Sequence, residues 1–110
     1  MTEFIQVMTT TDSEAAAARI AAALVERRLA ACVQVGGPVR SHYRWQGRVE
    51  TAQEWLCTIK ARRTAFADVA AAVAELHPYD EPEIVAVPIT AASAGYLGWL
   101  DESLAGPSTD

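Results

Sequence analysis

The sequence predicts an α+β fold built on a split β-α-β repeat, and three observations predict it. Segments with an apolar period of two alternate with segments of period 3.6 along the chain. Glycine and proline clusters fall at the joints between them. A length of 110 residues leaves room for one domain and no second of ordinary size. The composition, 51% hydrophobic and 21% charged, supplies a packed core and excludes a disordered chain.

The elements follow in order. Residues 3–9 alternate, with Phe4, Gln6 and Met8 on one face and Ile5 and Val7 on the other, as a strand requires. Thr11, three residues before Glu14, has the capping-box spacing, so a helix is expected from there to about Arg28. Ala17, Ile20, Ala21, Leu24 and the stem of Arg28 form its apolar face. Residues 29–35 are a short apolar run, expected as a second strand that stops at Gly36-Gly37-Pro38. Residues 39–45 alternate again, with Ser41, Tyr43 and Trp45 on one face and Arg40, His42 and Arg44 on the other. Gln46-Gly47 reads as a two-residue hairpin turn, and 48–60 as the returning strand with Trp55, Cys57 and Ile59 on one face. Phe66, Val69, Ala70, Val73 and Leu76 mark a helix over 64–76, ended by His77-Pro78. A β-branched strand over 83–89 and a helix over 93–104 complete the order. Residues 1–104 are the expected domain, and 105–110 a disordered tail.

This order is the ferredoxin-like βαββαβ plan, with helices expected on one face, plus an extra C-terminal helix. Its middle hairpin is too long. Roughly 10 residues per strand at about 3.3 Å each project past such a small sheet. A bare two-stranded ribbon is marginal in water, so its aromatic residues call for a neighbouring subunit.

Charge narrows the function classes. Nine basic against 14 acidic residues give a net charge of -5, which argues against a phosphate-backbone binder. Phe4 is the only aromatic in the first strand, which also argues against an RNA-binding sheet of this topology. No apolar run approaches the roughly 18 residues of a membrane helix. The N-terminus lacks a basic-then-apolar signal, so the cytoplasm is the expected location. Cys32 and Cys57 fit neither a CxxC nor a zinc-knuckle spacing. The first loop, 9–12, has no thiol, which excludes a ferredoxin-like metal chaperone. No nucleophile elbow, zinc-protease helix or phosphate loop occurs, so no enzyme is expected.

Four segments carry a resemblance. They are Leu29-Ala30-Ala31-Cys32, Tyr43-Arg44-Trp45-Gln46-Gly47, Leu76-His77-Pro78-Tyr79-Asp80-Glu81-Pro82-Glu83 and Tyr96-Leu97-Gly98-Trp99-Leu100. In this order, from about Phe4 to Ser103, they resemble the CutA divalent-cation tolerance family. The resemblance implies a ferredoxin-like subunit in a tight homotrimer, similar in architecture to PII signalling proteins. It also implies a role in tolerance of copper and other divalent metals.

Cys32 belongs to the first of these segments, and a thiol is a soft ligand suited to copper. The competing reading is a small buried hydrophobe, which also covers Cys57 on its apolar stripe, with Met8 as ordinary core of the first strand. His77 sits where a helix ends and a proline-bounded loop begins, close to Tyr79, Asp80, Glu81 and Glu83. Imidazole suits copper, zinc or nickel, while a histidine at a helix C-terminus also has a purely electrostatic use. Cys32 and His77 are therefore the candidate metal ligands. Trp45, Lys60, His77, Tyr79 and Glu83 are the candidate ligand pocket, provided that the loop after His77 lies near the hairpin. Lys60 would then meet an anion, and Trp45 doubles as an interface anchor. Two functions stay open: a trimeric metal- or small-ligand-binding tolerance protein, and a PII-like regulator binding a small anion or nucleotide between subunits.

Overall fold

The computed structural model describes residues 3–105. The expected tail at 105–110 lies outside them, except for Ala105. Strand β1 (Phe4–Thr11) leads to helix α1 (Glu14–Glu26), then to the long strands β2 (Cys32–Trp45) and β3 (Arg48–Arg62). A 3-10 turn at Arg63–Ala65 opens helix α2 (Phe66–Leu76), followed by strand β4 (Val85–Pro88) and helix α3 (Ala94–Leu104). The four strands form one antiparallel sheet in the order β2-β3-β1-β4. That is the ferredoxin-like order.

Alternation along β1 decides what covers each face. Ile5 and Val7 point with Cys57, Ile59 and Ala61 into the main core, where Ala17, Ile20 and Leu24 of α1 meet Val69, Ala72 and Val73 of α2. Burying an aliphatic side chain of this size contributes about 1.5–3 kcal/mol. The small alanines let both helices approach the sheet closely. Phe4 points the other way, and α3 covers it with Leu100 and Leu104. The expectation of helices on one face therefore holds for α1 and α2 only. Arg62 stacks over the Phe4 ring at 5.4 Å and joins Glu3 and Asp101 at 3.1 and 2.8 Å, fastening α3 to the sheet end.

Three local expectations change. The α1 cap is Ser13, whose hydroxyl accepts from the Ala16 N–H, while Thr11 donates to the Ser13 carbonyl. α1 stops at Glu26 and Arg28 takes a left-handed φ of +60°, so that the Leu29 and Ala30 N–H groups both reach the Leu24 carbonyl. Most consequentially, Gly36-Gly37-Pro38 does not end a strand. It is absorbed as a bulge between the Gly36↔Leu56 and Val39↔Glu54 pairs, and β2 runs through. Gly37 is the enabling residue. Its φ is +144°, and a Cβ there would lie 3.1 Å from the Glu54 carbonyl oxygen and the Trp55 ring. Pro38 sits where the ladder is interrupted and needs no donor.

The ribbon dominates the shape. The 14 residues of β2 at about 3.3 Å each span roughly 46 Å, close to the 51 Å long dimension of the molecule. The radius of gyration, 14.9 Å, exceeds the roughly 13 Å of a globule this long. Gln46 and Gly47, both at positive φ, form the tip. Tyr43, Trp45 and Val49 stay exposed along the ribbon, as do Val85 and Val87 on the sheet face away from α1 and α2.

Candidate functional site

The loop between α2 and β4 folds back onto the base of the ribbon. Thr10, Ser41, His42, Tyr43, Trp45, Glu54, Tyr79, Asp80, Glu81 and Glu83 enclose an open-sided cavity of about 650 Å³ there. The register explains the gathering. Val39 pairs with Glu54, and Ser41, Tyr43 and Trp45 follow at intervals of two on the same ribbon face. Thr10 pairs with Leu56, two residues from Glu54 on the same side.

His77 positions the loop. Its Nε2 lies 2.8 Å from the Thr10 carbonyl, and its Nδ1 lies 3.1 Å from the Tyr79 amide nitrogen. A carbonyl only accepts and an amide N–H only donates. Nε2 therefore carries the proton, and both nitrogens are occupied. At 8% exposure, His77 pins the chain after α2 to the end of β1 and has no lone pair left for a metal. Tyr79, directed by this bond and tilted against the His77 ring at 4.8 Å, donates its phenol to Glu54 Oε2 at 2.7 Å. Burial first, then the Glu54 hydrogen bond and charge, push the Tyr79 phenol well above its ordinary titration range. Glu54 is only 6% exposed.

Of the five residues expected in a pocket, Trp45, Tyr79 and Glu83 line this cavity. His77 stands behind it. Lys60 is elsewhere, near the end of β3, where its ammonium donates to Gln34 at 2.9 Å. Cys32 pairs with Lys60, which pairs with Gln6 on β1, whereas His77 holds Thr10 four residues further along, roughly 13 Å away. The two candidate metal ligands are thus not brought together, and among the described residues no group of three or more His, Cys, Asp or Glu could hold a metal ion. Cys57 lies in the core, its thiol donating to the Ala17 carbonyl. Burial raises it to about 11.

Thr10, Ser41, His42, Tyr43 and Glu54 line the cavity without having been placed in a pocket by sequence reasoning. Tyr43 had a signal, because it shares an alternating face with Trp45. Glu54 had a weaker one, a carboxylate directly before the apolar stripe of β3. Its hydrogen-bond partner, Tyr79, is 25 residues away and reaches it only through the loop.

Among the described residues no helix is long and apolar enough to cross a membrane. Residues 5–103 match the model of the CutA1 divalent ion tolerance protein family. The divalent-cation tolerance protein CutA of Thermus thermophilus is 48% identical over 97 residues, covering 88% of this chain and 94% of that protein. Its solved structure superposes with a TM-score of 0.88 at 47% identity, covering 91% of this chain and 97% of that one. A solved protein of Archaeoglobus fulgidus, described as a periplasmic divalent cation tolerance protein, does so at 0.88 and 37% identity over 92% of this chain and 98% of its own. The family's description names a tolerance and no reaction. With a family match over residues 5–103 and a fold shared over 91% of the chain with a relative 47% identical, the chain belongs to the CutA1 divalent ion tolerance family.

Proposed function

We propose that this protein serves divalent-cation tolerance as a homotrimer that binds a small ligand in the cavity between the ribbon and the loop after α2. One observation carries the reading. Glu54, almost fully buried, is held in place by Tyr79 at the wall of a cavity of about 650 Å³. Natural ligand pockets have this size and this pattern of a few fixed polar groups among aromatic ones. Turns that serve only to connect strands have no use for it.

The trimer is supported by the ribbon. Trp45 is 56% exposed at its tip, and Tyr43, Val49, Val85 and Val87 are exposed as well. An unaccompanied ribbon of this length would be marginal. Copper, in this reading, meets the protein at Cys32, which is half-buried on the sheet face that α1 and α2 leave uncovered. A complete soft-metal site there needs thiols from other subunits. Two free cysteines suit a reducing compartment such as the cytoplasm. The alternative of a regulator that binds an anion or nucleotide has no support in the cavity, whose lining has four carboxylates and no lysine or arginine.

Native mass measurement and a thermal-shift panel test the reading. A mass of three chains is expected, together with a small molecule whose stabilising effect is lost in Trp45→Ala. A one-chain mass at micromolar concentration removes the trimer. Stabilisation by every ligand unchanged in Trp45→Ala removes the cavity. Copper titration under reducing conditions on the parent and on Cys32→Ser tests the metal clause; equal affinity removes it.

A further inference from the structure

The cavity has one sign of charge. Glu54, Asp80, Glu81 and Glu83 line it, and His42 is the only basic side chain among the lining residues. His42 is itself engaged through Nδ1 with the Thr51 hydroxyl at 3.3 Å. Its other walls are aromatic, from Tyr43, Trp45 and Tyr79. We propose that its ligand is a small organic cation, an alkylammonium that places its charge near Glu54 and its hydrocarbon against these rings. This rests on the reading above that the cavity is a ligand site, and it deepens that reading by naming the ligand class.

The lining discriminates among three classes. An anion would meet four carboxylates and no arginine or lysine, so it is repelled. A bare divalent metal needs several oxygen or nitrogen ligands converging on one point, and among the described residues no such group exists. An organic cation needs neither convergence nor complete stripping of a tightly held water shell. Its charge is spread over several atoms, and aromatic faces attract it through their quadrupole. Its hydrocarbon leaves water on entering, which contributes the ordinary hydrophobic gain.

The hydrogen bonds fit such a guest. The Tyr79 phenol occupies Glu54 Oε2, and among the described residues nothing donates to Oε1. One carboxylate oxygen is thus fixed in position while the other keeps its acceptor capacity. A carboxylate locked by a 2.7 Å bond loses little freedom when a ligand arrives. Pro78 and Pro82 restrict the loop that carries Tyr79, Asp80 and Glu81, which lowers the ordering cost further.

The test is calorimetric titration of the full-length protein. The probes are choline, tetramethylammonium and spermidine, set against the neutral isostere of choline in which carbon replaces the quaternary nitrogen, and against acetate and phosphate. Saturable binding of an ammonium probe is expected, with the neutral isostere about tenfold weaker or worse. Glu54→Gln preserves shape and still accepts from Tyr79. It should weaken the ammonium about tenfold and leave the neutral isostere unchanged, and circular dichroism would verify its fold. If the neutral isostere or an anion binds as well as the ammonium and loses that binding in Trp45→Ala, the cation assignment is overturned while the cavity reading stands. If no ammonium probe saturates at millimolar concentration, the assignment is overturned too. If ammonium binding persists unchanged in both Glu54→Gln and Trp45→Ala, the cation is bound elsewhere and both readings fail.

Discussion

Replacing Tyr79 by phenylalanine removes one oxygen and leaves the ring that lines the cavity. That oxygen donates to Glu54 at 2.7 Å, and it is the one hydrogen bond the Glu54 side chain accepts among the described residues. Hydrogen bonds to charged groups contribute about 1.5–3 kcal/mol, and a buried group left unpaired costs a similar amount. The cavity is open on one side, so water can reach part of the carboxylate, and the low end applies. We expect Tyr79→Phe to destabilise by about 1.5 kcal/mol, which for a domain of this size is roughly 6–12 °C in melting temperature. The assay is a double-mutant cycle read by urea unfolding at one fixed protein concentration, so that any self-association weighs equally on every variant. In the Glu54→Gln background the same change removes only a neutral bond, worth about 0.5–1 kcal/mol. If Tyr79→Phe costs the same in both backgrounds to within about 0.5 kcal/mol, the two residues are not coupled and the reasoning about this wall is wrong.

How much of this was legible depends on the range of the interactions involved. Strand alternation in β1 and β3 and the 3.6-residue period of α2 are local, so the sequence exposed them directly. Where sequence reading failed, the outcome was decided by a distant partner or by a backbone path that residue type alone does not set. Gly36-Gly37-Pro38 has the composition of a terminator, yet β3 continues to pair on both sides of it and turns it into a bulge. Thr11 and Ser13 both have capping hydroxyls, and only the backbone path decides which one faces the Ala16 N–H. Phe4 signalled a buried ring but not that α3 would come to the opposite face to bury it. The site divides in the same way. Trp45, Tyr79 and Glu83 were identifiable by residue type on stiff mounts. Glu54 was not, because the phenol that holds it comes from a loop 25 residues later in the chain. His77 suggested a ligand by its chemistry, but its two nitrogens are spent on the Thr10 carbonyl and the Tyr79 N–H.

Four further outcomes are expected. Tyr79 and Cys57 both titrate higher in the folded protein, the thiol at about 11, so their contribution to stability is complete below the unfolded values of about 9–10 and is lost as pH rises through the folded ones; alkaline unfolding should flatten in Tyr79→Phe, and an unchanged profile would contradict the assignment. Gln46→Asn should stabilise the ribbon by a few tenths of a kcal/mol, because asparagine tolerates the φ of +50° better than glutamine does; a lower urea midpoint would count against the turn geometry. Gly37→Ala should cost more than about 1 kcal/mol, since its Cβ would press on the Glu54 backbone at 3.1 Å as well as strain φ; calorimetric melting no lower than the parent's would refute the bulge. Finally, His77→Ala should behave as a structural loss and leave metal binding alone. It strands the half-buried Thr10 carbonyl and Tyr79 N–H together, for about 2 kcal/mol, and frees the loop that directs Tyr79 onto Glu54. Any copper or zinc affinity of the protein should therefore stay at the parent value while the melting temperature falls. The reverse pattern, weakened metal binding with stability intact, would mean that His77 releases one of its two partners to become a ligand, and the loop would have to be read as a metal site after all.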